Sequence, residues 1–217
     1  MKKLSIQIVS DVMCPWCIIG YNNLKAAIDE LAESTTTPLE VEISWLPFEL
    51  NPNMPLAGQD LEQHLMEKYG LTPEQGAANR DRIEQMGLQS GFKFNLSGKR
   101  IMVNTFDCHR LLSWAKQFGK QTELKLALFK AHFQDGLYLN QTETLLDITQ
   151  NVGLNRQDAQ KILESDQFSD RVKQEQNQLK QMGISSVPTF IINQKYAISG
   201  GQPKQSFVQS LMQIATE

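Results

Sequence analysis

The sequence predicts an α/β fold, a small core built from the two ends of the chain and interrupted by a large helical insertion. Three observations lead there. A strand–helix–strand pattern opens the chain over residues 4–46, a strand pair and a helix close it over residues 187–215, and helical periodicity dominates from about Gln59 to Met182. The chain has 217 residues, enough to bury roughly 70–75% of the surface its unfolded state exposes. Such a core needs no disulfides, and only 3 cysteines are present.

The elements follow in order. Leu4 to Ser10 alternates apolar and polar residues and reads as the first strand. A helix runs from the Cys14-Pro15-Trp16-Cys17 segment to about Glu33, with Leu24, Ile28 and Leu31 as its apolar stripe. Residues 34–38 read as a loop. Leu39 to Leu46 is the second strand, with Val41, Ile43 and Trp45 on one face. Strands joined by a helical crossover pair in parallel with right-handed connectivity. Pro47 to Pro55 is irregular and proline-rich. In the helical block, Thr72-Pro73-Glu74-Gln75 has the form of a capping box with proline at the first helical position, and Thr142 and Asn155 are further N-cap candidates. Phe92 to Val103 reads as extended, turning at Ser97-Gly98, and Gly183 ends the last long helix. Val187 to Ile192 and Tyr196 to Ile198 form the closing strands around a turn near Asn193-Gln194. Gly200-Gly201 then breaks the pattern, and Pro203 to Ala215 is the final helix.

Composition narrows the function classes. Hydrophobic residues make up 41%, charged residues 21%, and the net charge is −3. No basic excess supports a nucleic-acid partner. No apolar run reaches the 18 or so residues that a membrane-spanning helix needs, so no membrane partner is expected. Met1-Lys2-Lys3 resembles the start of a signal peptide, but the alternating strand pattern follows it where an apolar stretch would stand. The expected location is the cytoplasm, where a close cysteine pair is catalytic or metal-binding more often than structural.

Cys14-Pro15-Trp16-Cys17 lies where the first strand becomes the first helix. Pro15 suits the first helical position, which makes Cys14 the N-cap. The amides of Trp16 and Cys17 then lack intrahelical partners and face the Cys14 sulfur, and with the positive helix end they favour thiolate over thiol. Cys14 is the candidate nucleophile. Cys17, one turn in, is the candidate resolving thiol, more buried and of higher pKa. Stabilising the thiolate favours the reduced protein and makes the disulfide more oxidising, by roughly 30 mV for each pKa unit gained below ambient pH. A zinc site would want a second ligand pair, and neither a second CxxC nor an HxxxH is present, so the residues weigh towards redox chemistry over a metal site or an inert pair. Val187-Pro188 taken alone is an edge-strand proline, since only about 5–6% of X–Pro bonds are cis. Beside a CxxC it reads as the cis-proline that in redox folds of this type exposes the preceding backbone for β-pairing with a substrate peptide.

Together, Ser-Asp-Val-Met-Cys-Pro-Trp-Cys at 10–17, Val-Pro-Thr-Phe at 187–190 and Ser-Gly-Gly-Gln-Pro at 199–203 resemble the DsbA-like thioredoxin superfamily. Pro47 to Pro52 and Asn104 to Leu111 look like its FrnE-type branch, and the similarity spans about residues 4–213. The resemblance implies a thioredoxin fold with a large helical insertion: residues 1–50 and 184–217 as the thioredoxin-fold core, residues 51–183 as insertion and return helix. It implies thiol–disulfide exchange on protein or small-molecule thiols and disulfides. Cys14 and Cys17 are then catalytic, and Pro15, Trp16, Val187 and Pro188 bind substrate. No metal or other cofactor is implied beyond the redox-active disulfide, with glutathione as a conceivable co-substrate. Related kappa-class glutathione transferases and 2-hydroxychromene-2-carboxylate isomerases usually carry serine at the position of Cys14. That makes a glutathione-dependent transferase or isomerase the alternative, which retention of both cysteines weighs against. Two positions depart from the pattern: Ser186 where glycine is usual and Cys108 where a small residue such as alanine is usual.

The remaining candidates have bland and sharp readings. Cys108 shares a helix face with Leu111, Leu112, Ala115 and Phe118, which favours a buried small hydrophobe over a third redox thiol. His109 is either a proton shuttle or substrate contact near the active site or, more in keeping with its place beside an apolar face, a hydrogen-bonded structural histidine. His64 and His132 read as surface or boundary residues. Asp11 reads as a ligand of the active-site loop in preference to a like-charge neighbour of the thiolate. Asn95 and Asn140 fall in glycosylation sequons that carry little meaning without a signal peptide.

Overall fold

The computed structural model describes residues 2–34 and 39–216. The chain opens with strand β1 (Lys2–Ser10), helix α1 (Pro15–Ser34) and strand β2 (Leu39–Pro47). β1 and β2 pair in parallel, with Ile6 opposite Ile43 and Ile8 opposite Trp45. Most of the predicted loop at 34–38 lies outside the described residues, and Ser34 belongs to α1. The chain closes with β5 (Thr189–Ile192), β6 (Tyr196–Ser199) and α9 (Lys204–Thr216). The sheet order is β2-β1-β5-β6, and β5 runs antiparallel to both β1 and β6. The thioredoxin fold with a helical insertion is therefore present, its sheet assembled from the two ends of the chain.

Period-two alternation sorts the strand side chains between the faces. Leu4, Ile6, Ile8, Phe190 and Ile192 pack on one face with Leu24 of α1 and Phe207 and Leu211 of α9. Val9 and Ile191 point the other way, onto Leu179 of α8 (Ser169–Gln181). The β5–β6 turn places Asn193 at φ 51 and Gln194 at φ 57, two successive left-handed residues, the geometry that matches the twist of a two-residue hairpin.

Between the two halves run a short strand β3 (Gln59–Asp60) and helices α2 (Leu61–Tyr69) and α3 (Pro73–Gln89). Strand β4 (Ile101–Met102) follows, then helices α4 (Phe106–Ala115), α5 (Gln121–Phe133), α6 (Thr142–Asn151), α7 (Arg156–Leu163) and α8. Thr72 makes the reciprocal capping box with Gln75, and Asn155 caps α7 by accepting from the Asp158 amide. Thr142 differs from expectation: it is the first residue of α6 and Gln141 is the cap, because the chain arrives at Gln141 already extended (φ −96, ψ 121). Residues 92–103 are extended largely without ladder partners, and only Ile101–Met102 pairs, with β3. Gly183 (φ 78) ends α8 in a Schellman motif: its amide donates to Lys180 and the Ile184 amide donates to Leu179.

Helix α5 joins the two parts. Phe129 and Phe133 pack with the sheet-side cluster, while Leu124 and Leu128 pack with α4, α6 and α7. At its start the Gln121 side-chain amide both donates to and accepts from the Trp45 backbone (3.0 and 2.9 Å), pairing with β2 as another peptide would. That contact occupies hydrogen-bonding groups on an edge strand.

Candidate active site

The site is built at the end of β1. Ser10 ends the strand, the Cys14 amide closes a turn onto the Asp11 carbonyl (3.2 Å), and Pro15 begins α1. The Cys17 amide returns to the Cys14 carbonyl (3.1 Å). This places both sulfurs in the first turn of the helix, as free thiols. Cys14 retains 4% of its surface and Cys17 none, so Cys14 is the one nearer solvent. The Val187–Pro188 bond is cis, and the Cys14 thiol donates to the Val187 carbonyl at 3.8 Å. The two motifs that the sequence separates by 170 residues therefore meet. Glycine permits the approach: a Cβ on Gly20 would lie 3.0 Å from Phe190 Cζ and 3.3 Å from Pro188 Cγ, and one on Gly201 would lie 3.1 Å from the Trp16 carbonyl. Pro15, Trp16 and Val187 are half-buried at the surface of this junction, and Pro188 is buried.

Behind the thiols is a charged group that sequence reasoning did not single out. Lys125, on α5, is 1% exposed. Its ammonium reaches the Ser10 carbonyl (3.4 Å) and lies 5.4 Å from the Trp45 ring centre and 5.0 Å from that of Phe129. Asp11, fully buried, faces the same space. Its carboxylate accepts from the Leu50 amide (2.7 Å) and the Met13 amide (3.2 Å). The loop role expected of Asp11 is thus met, and its charge bears on the thiols as well. Burial raises the Asp11 carboxyl above its ordinary range, against those amides and Lys125. Burial likewise lowers the Lys125 ammonium, against the pull of Cys17 and Asp11.

The two thiols act on each other's acidity. Cys14 is pushed well above the ordinary thiol range, first by donating to Cys17 and then by burial. Burial would raise Cys17 too, but the Cys14 donor, Lys125, the Ser10 hydroxyl and the Asp11 backbone together bring it below that range. These causes act in opposite directions on the two sulfurs, raising Cys14 and lowering Cys17 against the order read from the helix end alone. The helix end does act on Cys14 through the Cys17 amide, but Lys125 and Ser10 approach from the Cys17 side. The acidity belongs to the pair. The Ser10 hydroxyl is fully buried with no hydrogen-bond partner in the dithiol, an open donor towards the Cys17 charge.

His109 donates from Nε2 to the Phe48 carbonyl (2.9 Å), with the same nitrogen 3.9 Å from Asp11 Oδ1. Burial first and Lys125 second lower its pKa to about 3, so it is neutral. It braces the Phe48–Leu50 segment that binds Asp11. Cys108 is fully buried with its thiol directed at the Leu139 carbonyl (3.9 Å), and burial pushes it above the ordinary thiol range. His64 and His132, expected as surface or boundary residues, are both buried, His64 against Gln59 Oε1 (2.8 Å) and His132 against Phe133. Each helix turns the histidine inward beside the extended 92–103 segment or the β3 strand, partners that helical periodicity does not reveal. Among the described residues no group of three or more histidines, cysteines or carboxylates is placed to hold a metal, and no helix is long and apolar enough to cross a membrane.

Lys125 did leave a signal. Leu124, Leu128 and Phe129, which flank it at helical spacing, are all buried, so Lys125 lies on the inward face, whereas Lys130 of the same helix is exposed.

Relatives agree with this architecture. A curated relative from Bacillus subtilis, the uncharacterized protein YwbO, is 27% identical over 207 residues, spanning 95% of this chain and 94% of its own. The crystal structure of a probable DsbA oxidoreductase from Streptomyces coelicolor superposes with a TM-score of 0.91 at 29% identity, covering 99% of this chain and 91% of that one. The cytosolic disulfide reductase DsbM from Pseudomonas aeruginosa, solved with glutathione, shares the fold alone: TM-score 0.61 at 16% identity, over 97% and 98% of the chains. Residues 5–212 match the DSBA-like thioredoxin domain, a span that takes in both cysteines, Lys125 and the Val187–Pro188 turn, and the chain belongs to that family.

Proposed function

We propose that the protein is a cytoplasmic thiol–disulfide oxidoreductase of the FrnE type, acting through Cys14 and Cys17 on protein or small-molecule thiols and disulfides. The observation that carries this reading is the pair itself: two free thiols in one helical turn, with Cys14 in contact with the Val187 carbonyl. The resemblance to a probable DsbA oxidoreductase at 29% identity supports it. Residues 1–50 and 184–217 then form the redox core, and 51–183 the insertion that supplies Lys125 and covers the site.

In the reducing direction, the Cys14 thiolate attacks one sulfur of a substrate disulfide. A Cys14–substrate disulfide forms and the other substrate sulfur leaves as thiolate. Substrate binding separates Cys14 from the Val187 carbonyl and lets the shared charge pass to Cys14. The departing substrate thiolate takes up the Cys17 proton, and the Cys17 thiolate so formed, stabilised by Lys125 and Ser10, attacks the Cys14 sulfur and breaks the Cys14–substrate disulfide. The second substrate thiolate leaves, and two electrons have moved from the pair to the substrate. The reverse sequence oxidises a dithiol. Val187 and Pro188 hold the substrate backbone beside Cys14, and Trp16 and Pro15 form the facing wall.

The test is the redox equilibrium of the pair in glutathione buffers, read by thiol trapping in the Cys108→Ala protein. A two-electron couple between roughly −270 and −120 mV is expected. Failure to form an intramolecular disulfide anywhere in that range would sink the reading. Turnover with glutathione that survives Cys17→Ser would instead favour the transferase or isomerase alternative, which needs only one cysteine.

A further inference from the structure

Lys125 is a buried cation with no salt bridge. It is 1% exposed, its hydrogen bond to the Ser10 carbonyl is long at 3.4 Å, and among the described residues no carboxylate pairs with it. The rings of Trp45 and Phe129 flank the ammonium at 5.4 and 5.0 Å. Burial favours the neutral amine, so the charges around it are what keep the proton in place.

Each neighbouring element contributes differently. β2 brings Trp45, Leu46 and Pro47, none of which titrates. α4 brings Cys108, an uncharged thiol, and His109, which is neutral. α8 brings Glu175, whose carboxylate accepts from Arg171 Nε at 3.3 Å. The β1–α1 junction brings Asp11 and the two cysteines. Asp11 and Glu175 belong to the dithiol and the disulfide alike. Only the charge of the cysteine pair disappears when the disulfide closes, because a disulfide sulfur has no proton to lose.

The Lys125 proton also has an outlet. A cavity of about 10 Å³, room for about one water molecule, is lined by Lys125, His109, Ser113, Gln121 and Glu175. The Ser113 hydroxyl, able to donate and to accept, is buried without a hydrogen-bond partner. Half-buried Glu175 puts a carboxylate on the same cavity nearer to solvent.

We propose that Lys125 is a redox-linked proton site: closing the Cys14–Cys17 disulfide removes the thiolate charge that holds the Lys125 proton and expels it, and reduction of the pair restores it. This deepens the redox reading and rests on it. Protons and electrons balance. In the reactive dithiol the pair holds one proton and Lys125 another. The first substrate thiolate to leave takes the proton of the pair. The second leaves as the Cys14–Cys17 bond forms, and the Lys125 proton, passing out by way of the cavity, neutralises it. The substrate disulfide gains two electrons and two protons, and Lys125 is left as a neutral amine. Linkage makes the effect reciprocal: the factor by which oxidation weakens proton binding at Lys125 is the factor by which the charged ammonium favours the dithiol.

The test follows the amine itself. Full-length protein carrying carbon-13 at the ε position of its lysines is titrated by NMR between about pH 6 and 11, as the dithiol and as the disulfide. Lys125→Met identifies the resonance. The Lys125 signal should titrate about one pH unit or more lower in the disulfide, a proton affinity about tenfold weaker. The double variant Cys14→Ser, Cys17→Ser removes the charge of the pair without closing a disulfide, and its Lys125 should titrate as in the disulfide. That comparison also picks out the resonance if Lys125→Met does not fold. Coincident titration in the dithiol, the disulfide and the double variant would overturn the inference alone. So would a shift in the disulfide that the double variant does not reproduce, since its cause would lie in the fold instead of the charge. Failure to form an intramolecular disulfide would sink the redox reading and this inference with it.

Discussion

Lys125 bears on both thiols from a position that no solvent reaches. A buried cation beside two sulfurs and a carboxylate sets how easily the second thiol gives up its proton. Lys125→Met keeps the length and apolar stem of the side chain and removes the charge. Without it the Cys17 thiol rises and holds less of its charge at neutral pH, so its attack slows in proportion to the thiolate lost. The expected result is an about tenfold slower attack of Cys17 on a preformed Cys14 mixed disulfide, measured by rapid quench, with the loss recovered as pH is raised. A resolution rate unchanged from pH 6 to 9 would show that Lys125 does not govern the thiol. His132 carries a separate pH signature. It is buried beside Arg100, and burial first and that charge second lower its pKa to about 4, against about 6.5 in the unfolded chain. The unfolded state therefore binds the extra proton first, so the contribution is intact above pH 6.5 and lost as pH falls towards 4. At pH 4.5 the loss is on the order of 2–3 kcal/mol. His132→Gln should reduce the drop in urea-derived stability between pH 7 and 4.5 by that amount, and an identical drop in both proteins would refute the assignment.

At the scale of elements, legibility followed the range of the interactions. The capping box at Thr72, the cap at Asn155, the Schellman glycine at 183 and the Asn193–Gln194 turn are each closed by residues within five positions of one another, and each was readable. So was Cys14 as the residue before the first helical turn, since Pro15 marks that position. Thr142 was misplaced by one residue because Gln141, extended as the chain enters α6, takes the cap position although its side chain makes no cap hydrogen bond. The order of acidity in the pair failed for a reason of range. The helix end beside Cys14 is local and visible, whereas Lys125 arrives from a helix more than 100 residues downstream. Rules of local sequence place the two sulfurs, and distant charges act on the acidity of the pair.

At the scale of the whole molecule, the parallel β1–β2 pair and the antiparallel β1–β5 pair join the start of the chain to its end. The insertion is tied into that closure through α5. Phe129 and Phe133 face the sheet-side core, Leu124 and Leu128 face the helical core, and Lys125 between them reaches the cysteines. A helix shared between two cores couples their unfolding, because neither cluster is complete once α5 leaves. The expectation is one cooperative transition. Trp16 and Trp45 report the sheet side by fluorescence, Trp114 lies in the helical core, and far-ultraviolet circular dichroism reports the helices. Leu128→Ala opens a cavity in the helical core and should cost about 2–5 kcal/mol. If the cores are coupled, that substitution lowers the denaturation midpoint by fluorescence and by circular dichroism equally, although Leu128 belongs to only one cluster. A helical signal lost before the Trp45 environment changes would mean that the insertion melts alone. Lys125 would then be withdrawn from the cysteines at denaturant concentrations where the sheet still stands, and the acidity of the pair would fall with the helical signal instead of with the fold.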